Sequence, residues 1–170
     1  MLIYNPALDP YHCAIRLMSL ALASEKLNVE LTTDLARIGD YFLAYPAKLA
    51  RFTLPNEFRG LRAKAKELEN PYRNSAGDKI AFDRMHPIFF AALSGLVASG
   101  LVEVSAMKRG VVVRSEGEIP GAIAQAVADF TARQTEVGEF ILSEFMKIPT
   151  SGNNGIKHRS GLLEHRYDIV

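Results

Sequence analysis

The segment from His86 to Arg114, HPIFFAALSGLVASGLVEVSAMKRGVVVR, constrains the fold more than any other part of the chain. Its first half is apolar at helical spacing and ends at Gly100, a residue suited to the left-handed position that follows a helix. Residues 101–107 and 111–114 then alternate or carry β-branched side chains around Gly110, which favours a bulged β-hairpin. A helix followed directly by a hairpin with a basic tip is typical of the last helix and wing of a winged-helix domain. The sequence therefore predicts a mainly α protein with a small β-hairpin.

Three regions are expected along the chain. Residues 1–115 are predicted to form the winged-helix-like domain. Residues 116–148 are predicted to be the region of one long amphipathic helix, which begins at Pro120, reaches about Lys147 and is about 40 Å long at a rise of 1.5 Å per residue. Residues 149–170 begin with the turn-forming sequence PTSGNNG and are predicted to be a flexible C-terminal tail.

The core of the first region is predicted from helical periodicity. The first helix is expected to begin at Asp9-Pro10 and the second at Thr33, because both positions carry good capping residues. The fourth helix is expected to begin between residues 83 and 87 and to be the central, most buried one, since it is apolar nearly all round. Its predicted core residues are Phe89, Phe90, Leu93 and Leu96. Tyr41 and Tyr45 are interpreted either as base-stacking residues or, by preference, as side chains that close the core.

The charge composition argues against a dedicated DNA-binding protein. The chain has 170 residues, with 20 Lys and Arg against 19 Asp and Glu, and a net charge of +1. The charges are nevertheless segregated, because residues 58–79 hold six basic and three acidic side chains, whereas residues 116–148 hold two basic and six acidic ones. This pattern suits a bridge between unlike partners, although exposed helices often carry charge only for solvation.

The residues that usually perform chemistry are sparse and unpaired in this sequence. Cys13 is the single cysteine, which excludes an internal disulfide and a multi-cysteine zinc site. No phosphate-binding loop or dinucleotide-binding glycine motif is present. No apolar run reaches the roughly 18 residues of a spanning helix. Metal binding is not expected, because the spacing of metal ligands is lacking around His12, His86, His158 and His165. We therefore expect a cytoplasmic protein that is not an enzyme, has no membrane partner and binds no cofactor.

Two groups of residues are candidates for binding. Lys108, Arg109 and Arg114, at the tip and base of the predicted wing, could contact DNA phosphates, or they could simply be basic residues of an exposed turn. The recognition-helix position is filled with apolar residues, so few polar side chains are left to read bases. The long helix is expected to be longer than the core can cover. A partner protein is therefore predicted to bind its apolar stripe of Phe130, Val137, Ile141 and Phe145.

Three segments together resemble a known family. They are YNPALDPYHCAIRLMSL near the N-terminus, LARIGDYFLAYPAKL in the second helix, and GLVASGLVEV before the predicted wing. In this order they resemble the small middle components of ABC three-component systems, which include the small subunit of Lamassu-type bacterial defence complexes. The resemblance covers about residues 1–115.

The resemblance implies a function. Middle components of this kind are winged-helix proteins without catalytic residues, encoded between an SMC/Rad50-like ATPase and a variable effector subunit, often a nuclease. The chain is then expected to be an adaptor that bridges ATPase and effector in a complex that senses foreign double-stranded DNA. The alternative is a stand-alone winged-helix transcription regulator, which would bind symmetric half-sites as a dimer.

Overall fold

The structure is a computed structural model that describes residues 4–70 and 77–163 of the chain. Within these residues, four 3-10 helices lie at Pro6–Leu8, Pro46–Arg51, Asn56–Phe58 and Glu144–Lys147. The α-helices are Pro10–Leu27 (α1), Thr33–Ala44 (α2), Leu61–Glu67 (α3), Asp78–Ala98 (α4), Val104–Lys108 (α5), Gly121–Ala132 (α6), Glu136–Ile141 (α7) and Ile156–Ser160 (α8). The prediction of a mainly α protein is confirmed.

Helix α1 is the central element of the fold. Its predicted start is confirmed, because the Asp9 carboxylate accepts hydrogen bonds from the backbone amides of Tyr11 and His12, and Pro10 occupies the first helical position. The helix ends at Leu27, and the next residue, Asn28, adopts the left-handed conformation with φ 52°. Helices α2, α4 and α6 and the 3-10 helix at Pro6–Leu8 all pack against α1, so α1 is buried on most of its circumference.

Helix α4 begins at Asp78, several residues before the predicted start, and therefore contains Pro87 within its length. Phe89, Leu93 and Leu96 are buried as predicted, whereas Phe90 is half-buried. The expectation that α4 is the most buried helix is wrong, because one of its faces is exposed along most of its length. Gly100 follows the helix with φ 71°, which confirms its predicted role in ending it.

Helix α4 is also the one helix of the described residues that is long and apolar enough to cross a membrane by length and composition. A core helix meets the same criteria, and the packing of α4 on α1 accounts for its apolar face. Pro87 lies inside this helix of 21 residues, and its first two turns carry the charged residues Asp78, Lys79, Asp83 and Arg84.

The predicted hairpin and wing are wrong. Residues 104–108 form the short helix α5, and the described part of the chain contains isolated β-bridges and no named strand. One bridge pairs Val102 with Arg114 and the other pairs Thr32 with Val111. The sequence VSAMK includes Ala, Met and Lys, which are good helix formers, and this local preference replaces the first strand of the expected hairpin. The winged-helix prediction is therefore not supported.

The predicted long helix over residues 116–148 is also wrong, because it is divided into α6, α7 and a 3-10 helix. The Gln134 side chain donates a hydrogen bond to the carbonyl oxygen of Phe130, 2.9 Å away, and so satisfies the end of α6. A side chain at Gly138 would collide with Gln134, so glycine at this position makes room for the capping residue. The chain turns between the two helices instead of extending away from the core.

This turn brings most of the predicted partner-binding stripe into the protein's own core. Val137, Ile141 and Phe145 are at most 1% exposed, and Phe130 is half-buried. The Phe145 ring lies 5.4 Å from that of Phe52, and the rings of Phe42 and Phe140 are also in contact with it. The stripe is therefore not an unoccupied surface, and the prediction that a partner protein covers it is corrected.

The predicted flexible tail is ordered as far as it is described. Residues 149–163 pack on the body of the protein, where Ile156 and Leu162 are buried. The backbone amide of Thr53 donates to the carbonyl of Arg159 at 3.0 Å, and the Lys157 ammonium pairs with Asp34 at 2.9 Å. Residues 164–170 of the predicted tail lie outside the described residues.

The burial of Phe145 predicts a large effect on stability. Replacing Phe145 with Ala removes a ring that contacts three other rings and leaves a cavity, so the free energy of unfolding should fall by about 3–5 kcal/mol. Urea denaturation followed by circular dichroism measures this loss. Thr131→Ala, an exposed change on α6, should stay within about 0.5 kcal/mol of the parent. Similar unfolding midpoints for the two variants would contradict the assignment of Phe145 to the core.

Candidate interaction surfaces

The basic residues of the predicted wing fall into two kinds. Lys108 and Arg109 are exposed at the end of α5 and in the turn that follows it. Arg114 is instead engaged within the protein, because its Nε lies 2.9 Å from a Glu25 carboxylate oxygen and its Nη1 donates to the carbonyls of Ser115 and Gly117. The structure therefore leaves two of the three predicted phosphate contacts available, and it gives Arg114 a structural role.

A groove of about 750 Å³ runs between the end of α1 and residues 109–114. Glu25 and Glu30 line it from one side, while Arg109 and Arg114 line it from the other. Because acidic and basic side chains are balanced here, the groove has no dominant charge for attracting a polyanion or a polycation.

A second groove, of about 400 Å³, separates residues 57–64 from residues 136–144. The rings of Phe58 and Phe140, with centroids 4.9 Å apart, form its apolar part together with Leu61. Its charged lining consists of one cation, Lys64, and four carboxylates, those of Glu57, Glu136, Glu139 and Glu144. We call this surface the acidic groove. It combines apolar area with a net negative charge.

Two of the glutamates in the acidic groove are already paired. Glu136 forms an ion pair with Lys64, and Glu144 pairs with Lys147 at 2.6 Å. Glu57 and Glu139 are exposed and have no ion-pair partner among residues 4–70 and 77–163. These two carboxylates are the charges that a bound partner could neutralise.

A row of cations lies along α3 and the turn before it. Arg59, Arg62 and Lys66 are exposed, and none of them forms an ion pair within the described part of the chain. We call these three residues the basic row. The excess of basic residues in 58–79 is visible in the sequence. The spacing of three positions from Arg59 to Arg62 and of four from Arg62 to Lys66 is the further signal that places these three residues on one helical face.

The buried polar residues belong to the core rather than to a binding surface. The Arg16 Nε donates to an Asp40 carboxylate oxygen at 2.6 Å, and both side chains are almost fully buried. The Cys13 thiol lies 3.5 Å from the other carboxylate oxygen. Burial raises the pKa of Asp40 and the Arg16 guanidinium opposes this effect. The pair was not predicted from the sequence: both residues lie in segments that resemble the family, but nothing in the sequence shows that their side chains meet.

Tyr41 closes the core, which was the preferred interpretation from the sequence. It is 1% exposed and its ring contacts those of Phe42 and Phe82. Within residues 4–70 and 77–163, no group of three or more His, Cys, Asp or Glu side chains is arranged to hold a metal ion. His165 lies outside these residues.

The fold and its surfaces define a small helical protein with an acidic groove on one side of α3 and a basic row on the other. The chain matches the family model for the ABC-three component (ABC-3C) system Middle Component 5 over residues 2–168. It therefore belongs to this family of middle components, which confirms the resemblance seen in the sequence and extends it through the C-terminal region. No curated protein and no solved structure matches the chain.

The buried Arg16–Asp40 pair predicts an asymmetric response to mutation. Asp40→Asn leaves the Arg16 charge buried without a counter-ion, so the free energy of unfolding should fall by about 3–5 kcal/mol. Replacing both residues with apolar ones, as Arg16→Met with Asp40→Leu, should cost less than Asp40→Asn alone. Asp83→Asn breaks the exposed pair with Lys79 and should change stability by less than about 1 kcal/mol. Equal losses for Asp40→Asn and Asp83→Asn in urea titrations would refute the argument.

Cys13 provides a probe of the same region. Burial raises the pKa of its thiol and the Asp40 carboxylate adds to this effect, so little reactive thiolate is present in the folded protein. We expect the thiol to react with iodoacetamide far more slowly in the native state than in urea, since opening of the core must come first. Mass spectrometry of the alkylated chain measures both rates. A native rate equal to the rate in urea would show that Cys13 is accessible.

Proposed function

We propose that the chain is a non-catalytic, cytoplasmic adaptor that binds the SMC/Rad50-like ABC ATPase of its system and connects it to an effector subunit. The observation that carries the proposal is the family match over residues 2–168, because middle components of ABC-3C systems work with an ABC ATPase and other components. In the systems that the sequence resembles, the effector is often a nuclease and the complex senses foreign DNA.

The acidic groove is the surface that suits the protein contact. Phe58 and Leu61 are half-buried beside the buried ring of Phe140. Apolar side chains of this kind are the usual centre of a protein interface, and the charged side chains around them set orientation and partner choice. Since Glu57 and Glu139 are unpaired within the described residues, the matching segment should carry basic residues beside an apolar one. We therefore assign the groove to a basic, partly apolar segment of the ATPase.

The alternative of a stand-alone transcription regulator loses its main support with the corrected fold. The regulator hypothesis depended on a hairpin wing next to a recognition helix. The described residues instead form a short helix, α5, in place of the first strand of the hairpin.

Co-purification tests the proposal. When the tagged chain is expressed with the ABC ATPase and the third component of its system, the ATPase should elute with it. The double charge reversal Glu57→Lys with Glu139→Lys should weaken the interaction at least about tenfold, equivalent to 1.4 kcal/mol, in a titration with purified ATPase. The matched control is Glu116→Lys with Glu118→Lys, which changes the net charge equally at two exposed residues before α6.

The outcomes separate the two levels of the proposal. Failure of the parent chain to bind the ATPase would overturn the adaptor function itself. Equal binding by the groove variant, the control variant and the parent would retain the adaptor function and reject the acidic groove as the contact. Thermal melting of each variant establishes that a loss of binding is not a loss of folding.

A further inference from the structure

The three residues of the basic row lie on one face because the helical backbone conformation begins at Arg59, two residues before the first residue of α3. Arg59 and Gly60 both have helical dihedral angles, with φ −55° and ψ −29° at Arg59 and φ −61° and ψ −26° at Gly60. The backbone amide of Arg62 donates to the carbonyl of Arg59 at 3.2 Å. The step from Arg59 to Arg62 is a 3-10 turn and the step from Arg62 to Lys66 is α-helical, so the three residues lie within an arc of roughly 60° and span roughly 10–12 Å along the helix axis.

Among the described residues, no other charged residue of α3 forms an ion pair with this row. Lys64 lies on the opposite side of the helix, where it pairs with Glu136. Glu67 is displaced by about 100° from Lys66 around the helix axis. Glu69 follows the helix and acts on Arg51, whose pKa it helps to raise after the larger contribution of Asp78. Three positive charges thus face solvent together.

We propose that Arg59, Arg62 and Lys66 contact the phosphate backbone of double-stranded DNA without reading its sequence. The row is linear, as the phosphate backbone is, and Ala63 beside it leaves room for close approach. Arginine and lysine bind phosphates without needing apolar neighbours, whereas a protein interface is centred on buried aromatic or apolar anchors. The basic row has no such anchor within its arc, in contrast to the acidic groove across the helix.

The basic row is also a better phosphate site than the tip of the predicted wing. With Arg114 paired to Glu25, the tip presents only Lys108 and Arg109, which are adjacent in sequence. The proposal deepens the proposed function by giving the sensing of DNA a surface. Its DNA-binding test uses the chain alone, so the proposal can fail while the adaptor function stands, and the reverse is also possible.

Fluorescence anisotropy with a labelled duplex of mixed sequence tests the proposal across a range of salt concentrations. The triple variant Arg59→Ala, Arg62→Ala, Lys66→Ala should bind the duplex at least about tenfold more weakly at low salt. The slope of log K against log salt should flatten by up to about three. The matched control is the triple variant Lys26→Ala, Arg84→Ala, Arg133→Ala, which removes the same charge from three exposed residues elsewhere and should leave the slope near that of the parent.

Two further variants sharpen the test. Arg59→Lys with Arg62→Lys should keep most of the salt slope, because phosphate contact needs charge and not the shape of the guanidinium. Lys108→Ala with Arg109→Ala should change the slope little.

The proposal is overturned if the parent chain does not bind the duplex at low salt. Equal losses in the basic-row and control triples would also overturn it, since binding would then follow net charge. A basic-row triple that binds DNA like the parent but no longer retains the ATPase would reassign the row to a protein contact.

Discussion

Arg16 brings a guanidinium into the middle of the helical core, and Asp40 is the counter-ion that makes its burial tolerable. Removing each charge from water costs several kcal/mol, so each side chain depends on the other being in place. The pair joins the centre of α1 to α2, and Arg16 also donates to the carbonyl of Pro6 at 3.2 Å. One side chain therefore fixes three segments of the N-terminal half. Such a contact is directional, unlike apolar packing, and it sets how α2 lies along α1.

The position of α2 then determines where the C-terminal half can pack. Phe42 follows Asp40 and Tyr41 on α2, and its ring contacts those of Phe52 and Phe145. Phe145 can reach this cluster because the chain turns between α6 and α7. The aromatic contacts continue through Phe140 to Phe58 at the acidic groove. The groove is thus built on the same aromatic cluster that closes the core.

Local signals in the sequence predicted the parts of the fold that local physics determines. The cap at Asp9, the end of α4 at Gly100 and the burial of Phe89 and Leu93 follow from capping chemistry and periodicity, and the structure confirms them. At the break after α6, the Gln134 side chain bonds to the Phe130 carbonyl and lies against Gly138, and hydrophobic periodicity does not record such contacts between side chain and backbone. An uninterrupted apolar stripe therefore looked like one helix, although it belongs to two short ones and a 3-10 helix.

The sequence predicted the charges of the acidic groove and the basic row, but it did not predict where these surfaces lie relative to each other. The excess of basic residues in 58–79 and of acidic residues in 116–148 is visible in the sequence, but the sequence does not show that α7 packs beside α3. That packing brings Glu136 and Glu139 within reach of the helix that carries Arg62 and Lys66. The carboxylates of the acidic groove and the cations of the basic row, which are remote in sequence, are therefore separated only by the width of α3. If both proposals hold, the basic protein segment and the DNA would lie side by side on these surfaces, whereas the predicted 40 Å helix would have kept the two charges apart.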